Sequence, residues 1–361
     1  MRILTSVLLL LFLTPPWMGE KRLALLGDPA FEAKRVQLDP ANPALNRVGQ
    51  LTWLGGVELT SPDPAFGSFS AMAVLGDRFT LLSDGGNVVR FRIDQHGRLS
   101  ERSFANLAAG PGTGWLKEDR DSESMTADPA TGRLWVGFER ANAIWRFAPG
   151  LARGEAHAVP RAMAGWPVNS GAEAMTRLPD GGFVVIGERE PWPGRKGRAA
   201  IRFSGDPAER PDRGFRFSYI PPAHYDPSDM AILPDGRLLV LNRRFAVPFA
   251  FSTKLVLIDP GAIRPGAVVR GREIATLASP MIHDNFEGMA VTREGRATIV
   301  WIVSDDNQLF LQRSLLLKFR LEPDSPAPIR PPRFDGGSAE TQRARFPEGK
   351  QAGVFRSDRK G

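Results

Sequence analysis

Apolar and polar positions alternate along this chain in short bursts, and five of the bursts share one phrase. An acidic or hydroxyl residue leads, a small residue and a methionine follow, and a turn then gives way to a second apolar run that ends in charge. The copies are SAMAVLGDRFTLLSDGG from Ser70, ESMTADPATGRLWVGFER from Glu123, EAMTRLPDGGFVVIGERE from Glu173, SDMAILPDGRLLVLNRR from Ser228 and EGMAVTREGRATIVWIVSDDN from Glu287. Met72, Met125, Met175, Met230 and Met289 stand 53, 50, 55 and 59 residues apart. Alternation with period two predicts strands with unlike faces. Met125 and Ala127, Met230 and Ile232, and Met289 and Val291 share one face, while Ser124, Ala174, Ala231 and Gly288 lie on the other. Small side chains suit the innermost strand of a blade, where neighbouring sheets converge. Strand and turn units recurring at about this spacing predict an all-β fold, a single β-propeller of four-stranded antiparallel blades.

The turns Pro179-Asp180-Gly181, Pro234-Asp235-Gly236, Glu294-Gly295 and Asp128 to Gly132 place Gly or Asp where special backbone angles are needed. The strands that follow, Leu134 to Phe138, Phe183 to Ile186, Leu238 to Leu241 and Ile299 to Val303, run back antiparallel. Their charged far ends therefore meet the leading acids. One mouth of the propeller is expected to gather Ser70, Glu123, Glu173, Asp229 and Glu287 from the strand entries. From the returning ends come Asp84, Glu139 with Arg140, Glu188 with Arg189, Arg243 with Arg244, and Asp305 with Asp306. Two carboxylates about 4 Å apart at an effective dielectric near 20 repel by about 4 kcal/mol, so the cluster requires compensation. Arginine ion pairs supply it in one reading. In the other a hard cation such as calcium is held by Glu123, Glu173, Asp229, Glu287 and Asp305, with Asn169, Asp284, Asn285 and Asn307 offering further oxygens.

These phrases resemble the phytase-like family described as having "esterase-like activity of phytase". The resemblance rests on GGVELTSPDPAFGSFSAMAV, DSESMTADPATGRLWVGFER, NSGAEAMTRLPDGG, DMAILPDGRLLVLNRRF, and DNFEGMAV with VSDDNQLFLQRSLLLKFRL, which together span Gly55 to Leu321. It implies an exported bacterial envelope propeller with esterase or phosphoesterase chemistry. Carried over position by position, it points to Glu123, Glu173, Asp229, Glu287, Asp305, Asp306 and Asn307, with Gln312 and Arg313 following. The chain departs from the family pattern at Ser68, where glycine is expected, and at Asn242, where an acid is common.

The expected mechanism is metal-assisted hydrolysis of a small anionic phosphate or carboxylic ester, with Glu123, Glu173, Glu287 and Arg243 as catalytic candidates. A glutamate takes the proton and Arg243 or Arg244 holds the anion. The alternative is a non-catalytic envelope propeller that binds a protein, glycan or small ligand across the same mouth. No G-x-S-x-G elbow, H-E-x-x-H helix or phosphate loop occurs. His224 and His283, each just upstream of a strand-entry acid, are further candidates for a general acid or a phosphate ligand.

Five phrases argue for five blades. Strand-like stretches around 35–38 and 50–59 either complete the last blade beside 314–321 or help build a sixth, which analogy with related propellers favours. The propeller is assigned to residues 32–322. Arg2 and the apolar run Ile3 to Leu13 read as a signal peptide or N-terminal anchor within residues 1–22, too short for an ordinary membrane span. That predicts export, to a periplasmic location. Residues 323–361, rich in Pro, Gly and Arg, read as a disordered tail. The absence of cysteine excludes disulfides, thiolate nucleophiles and lipid attachment at an N-terminal cysteine. The net charge of +7 is spread among acids without a nucleic-acid-binding motif, so no nucleic-acid partner is expected.

Overall fold

The computed structural model describes residues 21–323 apart from 26, 248 and 249. The expected signal or anchor segment, except Lys21 and Arg22, and the expected tail beyond Pro323 lie outside the described residues. The strands form five antiparallel sheets around an axis. Blade 1 comprises Phe69–Leu75, Arg78–Ser83, Asn87–Ile93 and Leu99–Asn106, and blade 2 comprises Ser122–Ala127, Leu134–Phe138, Ala143–Phe147 and Gly154–Ala158. Blade 3 contains Ala172–Arg177, Phe183–Gly187, Arg198–Phe203 and Gly214–Ile220, with Val268–Arg270 added in parallel at its outer edge. Blade 4 contains Asp226–Ile232, Leu238–Ala246, Ala250–Ile258 and Arg272–Leu277.

Blade 5 closes the ring. Its inner strands Phe286–Glu294, Ala297–Ser304 and Leu315–Leu321 come from the end of the domain, and Leu51–Thr60 from its beginning pairs antiparallel with Leu315–Leu321. Glu32–Arg35 then covers the edge of Leu51–Thr60. The two early strands therefore complete the fifth blade, and the sixth blade favoured by analogy is not formed. Joining the two ends of the chain within one sheet removes two strand edges that would otherwise be open to pairing.

The two faces of each inner strand have different neighbours. The phrase methionines each enter a separate apolar core between consecutive blades: Met72 between blades 5 and 1, Met125 between 1 and 2, Met175 between 2 and 3, Met230 between 3 and 4, and Met289 between 4 and 5. The residue before each methionine faces the following blade, where room is short. A Cβ added at Gly288 would come within 2.6 Å of Val303 Cγ1 and 3.2 Å of Ala71 Cα. Ser124 fits because its hydroxyl donates to Ala172 O at 2.5 Å across the blade seam. Ser68, at the position where glycine is expected, has φ of 50°, the left-handed region that glycine adopts without strain. The domain also extends N-terminally beyond residue 32, because Leu25 and Phe31 are buried in the core between blades 5 and 1.

Candidate functional site

Every inner strand carries a one-residue irregularity at its start, between Phe69 and Ala71, Ser122 and Ser124, Ala172 and Ala174, Pro227 and Asp229, and Phe286 and Gly288. A bulge of this kind sets two residues against one on the partner strand and re-aims a side chain. The bulged residues are Ser70, Glu123, Glu173, Ser228 and Glu287, one per blade around the axis. The second strand ends immediately before Asp84, Glu139, Glu188 or Asp305 in four blades, and in blade 4, where it runs on to Ala246, Arg243 holds the equivalent position opposite Asp226. Five hairpins thus produce two concentric five-membered rings at one end of the propeller. All of these residues except Ser70 and Ser228, which are buried and donate to Ser122 O and Phe286 O, line a cavity of about 600 Å³ together with Lys117, Asn169, Asn285 and Phe245.

Asp229 does not join these rings. It stands one residue before Met230, at the position that faces the following blade, and Ser228 is the counterpart of the three glutamates. Both Asp229 oxygens are occupied by backbone amides, Oδ1 by Met230 N at 2.7 Å and Oδ2 by Met289 N at 2.6 Å. The carboxylate fastens blade 4 to blade 5 and is fully buried. Removing it with Asp229→Ala leaves two buried amides unpaired, at about 1–3 kcal/mol each for an unsatisfied group. The expected loss is about 2–6 kcal/mol in denaturant unfolding, with calcium affinity unchanged. A large fall in calcium affinity would return Asp229 to the ligand set.

The two sides of the mouth are neutralised unequally. Arg243 places Nη2 3.1 Å from Glu188 Oε1 and Nε 3.5 Å from Glu287 Oε1, and its Nη1 donates to Asn285 Oδ1 at 3.3 Å. Asn285 Nδ2 in turn donates to Glu287 Oε1 at 2.8 Å. Arg189 reaches Glu188 at 3.1 Å, and Lys117 reaches Asp84 at 2.6 Å. Arg140, expected to neutralise Glu139, instead turns to Glu118 at 3.2 Å. On the side formed by blades 2 and 3 the acids lie close together, and of them only Glu188 is paired with arginine. Carboxylate oxygens of Asp121, Glu123 and Glu139 lie within 4.8 Å of one another, as do those of Glu139, Glu173 and Glu188. Glu139 belongs to both groups.

Burial, followed by the charges of Glu173 and Glu287, raises the carboxyl pKa of Glu123 well above its usual range. Burial and then Glu188 do the same to Glu173. Glu139 is pushed up to about 7 and Asp121 to about 6, in each case by burial first and a neighbouring aspartate second. Burial pulls the Arg243 pKa down, but Glu287, Glu173 and Glu188 together outweigh it and hold the guanidinium charged. The sign of the stability effect follows. A carboxyl with a raised folded-state pKa binds its proton more tightly when folded, so stability falls as pH rises above the unfolded value near 4 and stops falling above the folded value. In chelator, the protein is expected to lose stability between about pH 4 and pH 7. A melting temperature that rose across that interval would contradict this assignment.

Three of the expected catalytic glutamates, Glu123, Glu173 and Glu287, are brought together with Arg243 and Asp305 at the mouth. Neither His224 nor His283 lines the cavity, and His283 Nδ1 lies 2.7 Å from Met281 O. Asn242 is buried below the rings, where it accepts from the Tyr219 hydroxyl at 3.0 Å. Asp121 and Lys117 were not singled out by the sequence. Asp121 lies just ahead of the strand that begins at Ser122, two residues before the bulged Glu123, where simple strand alternation does not apply. Lys117 comes from the loop before blade 2 and carries no repeat signal.

The protein is a five-bladed β-propeller with a partly neutralised carboxylate cluster at one end of its axis. The chain belongs to the phytase-like family, described as "esterase-like activity of phytase", whose model matches residues 64–308. No curated protein is significantly similar to it in sequence. Among solved structures, it is similar to an α-L-arabinofuranosidase from Podospora anserina in complex with cellotriose, with 11% identity, TM-score 0.44, and coverage of 84% of this chain and 99% of the other. It is also similar to the Malassezia sympodialis allergen Mala s 1, with 12% identity, TM-score 0.41, and coverage of 84% and 96%. Against the Kuenenia stuttgartiensis hydrazine synthase, the identity is 12% and the TM-score 0.34, over 66% of this chain and 56% of the other. These likenesses bear on neither substrate nor mechanism.

Proposed function

We propose that the protein is an exported, metal-assisted hydrolase of phosphate or carboxylic esters acting at the axial mouth. The observation that carries the reading is the pair of carboxylate groups sharing Glu139, in which only Glu188 is paired with arginine. Asp121, Glu123, Glu139 and Glu173 offer the hard, anionic oxygens that calcium takes, and Asn169 adds an amide nearby. A bound calcium ion would neutralise part of the acidic charge and polarise an ester oxygen.

The chain's own residues supply the remaining chemistry. Arg243, held by Glu188, Glu287 and Asn285, presents a fixed charge to the anionic part of a substrate. Glu123 and Glu173 retain protons further toward neutral pH than ordinary glutamates and are placed to exchange them with a reacting oxygen. Phe245, Phe251 and Leu309 wall the cavity on the side of blades 4 and 5 and give the apolar part of an ester a surface to rest on. The sequence supports export through Arg2, the apolar run Ile3 to Leu13 and the lack of cysteine. Among the described residues, no helix is long and apolar enough to cross a membrane.

Dialysis against chelator followed by calcium add-back, assayed with a panel of phosphate and acyl esters, tests the reading. Hydrolysis of at least one ester is expected to vanish with chelator and return with calcium. Activity indifferent to metal in every assay removes the metal. Absence of all hydrolysis, with calcium still bound, favours a ligand-binding propeller.

A further inference from the structure

The mouth end of the propeller carries a second pattern that the acidic rings do not use. Among the described residues nine large apolar side chains are exposed, and six of them belong to the loops that form the mouth: Trp115, Val168, Phe245, Val247, Phe310 and Leu311. Trp115 stands two residues before Lys117, and Val168 adjoins Asn169. Phe310 and Leu311 lie between Leu309 and Gln312, and all four flanking residues line the cavity. Phe245 lines it directly, and Val247 extends further along the same hairpin. Trp115 and Val247 are 78% and 85% exposed, more than scattered surface residues require. The opposite end of the inner hairpins is made of polar turns instead, such as Asp180-Gly181, Asp235-Gly236 and Glu294-Gly295.

Exposed apolar side chains gathered on the loops around one mouth mark a contact surface, and the entry point of the chain indicates its occupant. Lys21 bridges to Leu116, Arg22 N donates to Trp115 O at 2.9 Å, and Arg22 Nη2 donates to Asn87 Oδ1 and Asn106 Oδ1 at 3.2 and 2.7 Å. The chain therefore joins the propeller beside Trp115, on the mouth side. The residues preceding this junction include the apolar run Ile3 to Leu13. The described chain thus starts at the apolar rim and is preceded in sequence by an apolar run, and tryptophan in particular favours the boundary between lipid and water.

We propose that this face docks on a lipid bilayer, the six rim side chains entering the interface so that the axial cavity opens toward the membrane. The docking does not depend on catalysis or on a metal, and it is tested without either.

The chain has no cysteine, so one introduced cysteine gives a unique spin label in the full-length protein. Nitroxides at Val247→Cys and Phe310→Cys on the mouth face, and at Asp235→Cys on the opposite face, would be followed by power-saturation spectroscopy with mixed phosphatidylcholine and phosphatidylglycerol vesicles. The two mouth labels are expected to gain collisions with oxygen and lose them with a water-soluble nickel chelate, while the Asp235→Cys label does not change. Replacing Phe310 and Leu311 together by glutamate is expected to lower vesicle partitioning at least about tenfold, because two apolar side chains leave the interface and two charges enter it. Vesicle binding with the mouth labels still in water would show that the N-terminal run alone tethers the protein and would overturn the proposal. No vesicle binding would overturn it too and leave a protein as the occupant of the rim.

Discussion

Replacing Arg243 by methionine is expected to lower the unfolding free energy by about 3–5 kcal/mol at pH 7.5, the range for removing one partner from a buried ion pair. Arg243 touches Glu188 and Glu287 and is charged because those acids surround it. Its aliphatic stem packs as methionine would, so the loss is electrostatic rather than a cavity. The deficit should shrink at pH 5, where Asp121 and Glu139, with pKa values raised to about 6 and about 7, are largely protonated. It should also shrink in calcium, since a bound cation takes over part of the neutralisation. Denaturant titrations of both proteins at the two pH values, with and without calcium, decide the matter. A loss below about 1 kcal/mol, the level of an exposed ion pair, would mean that Arg243 is not the counter-charge of the mouth.

Glu139→Gln has the second large effect, and its sign depends on the metal. Glu139 is the member common to both carboxylate groups. Second-shell partners alone are worth about 10–100-fold in metal affinity, so loss of this oxygen is expected to weaken calcium binding by more than about 100-fold in calorimetry. In chelator at pH 8 the same substitution should stabilise the protein, because it removes a charge from a site where burial and Asp121 already oppose ionisation. Opposite signs with and without calcium separate a ligand from a scaffold residue. Destabilisation in both conditions would assign Glu139 to structure alone, through contacts such as the approach of Gly171 to its backbone.

Asp229, the metal candidate that lies away from the mouth, shows how the sequence can be read more closely. Aligning the phrases on methionine pairs Ser228, not Asp229, with Glu123, Glu173 and Glu287, and every inner strand is bulged at that position. Because strand neighbours point to opposite faces, a shift of one residue moves a carboxylate from the axis into a blade seam. There it meets the Met289 amide. Ion-pair choice was less legible. Arg140 and Arg189 follow equivalent glutamates in the repeat, yet Arg189 neutralises Glu188 while Arg140 leaves Glu139 for Glu118. Local sequence does not contain the loop before blade 2 that supplies Glu118.

By itself the chain determined the propeller, the five hairpins and the placement of Glu123, Glu173 and Glu287 at one end, because turn chemistry and period-two alternation are local properties repeated five times. The tertiary structure decided what depends on contacts between distant segments. It set the closure of blade 5 by Leu51–Thr60, the concentration of acid around Glu139, the placement of Arg243 between Glu188 and Glu287, and the meeting of Arg22 with Trp115. Charges and apolar side chains act through space, and the ring alone brings these residues within reach of one another.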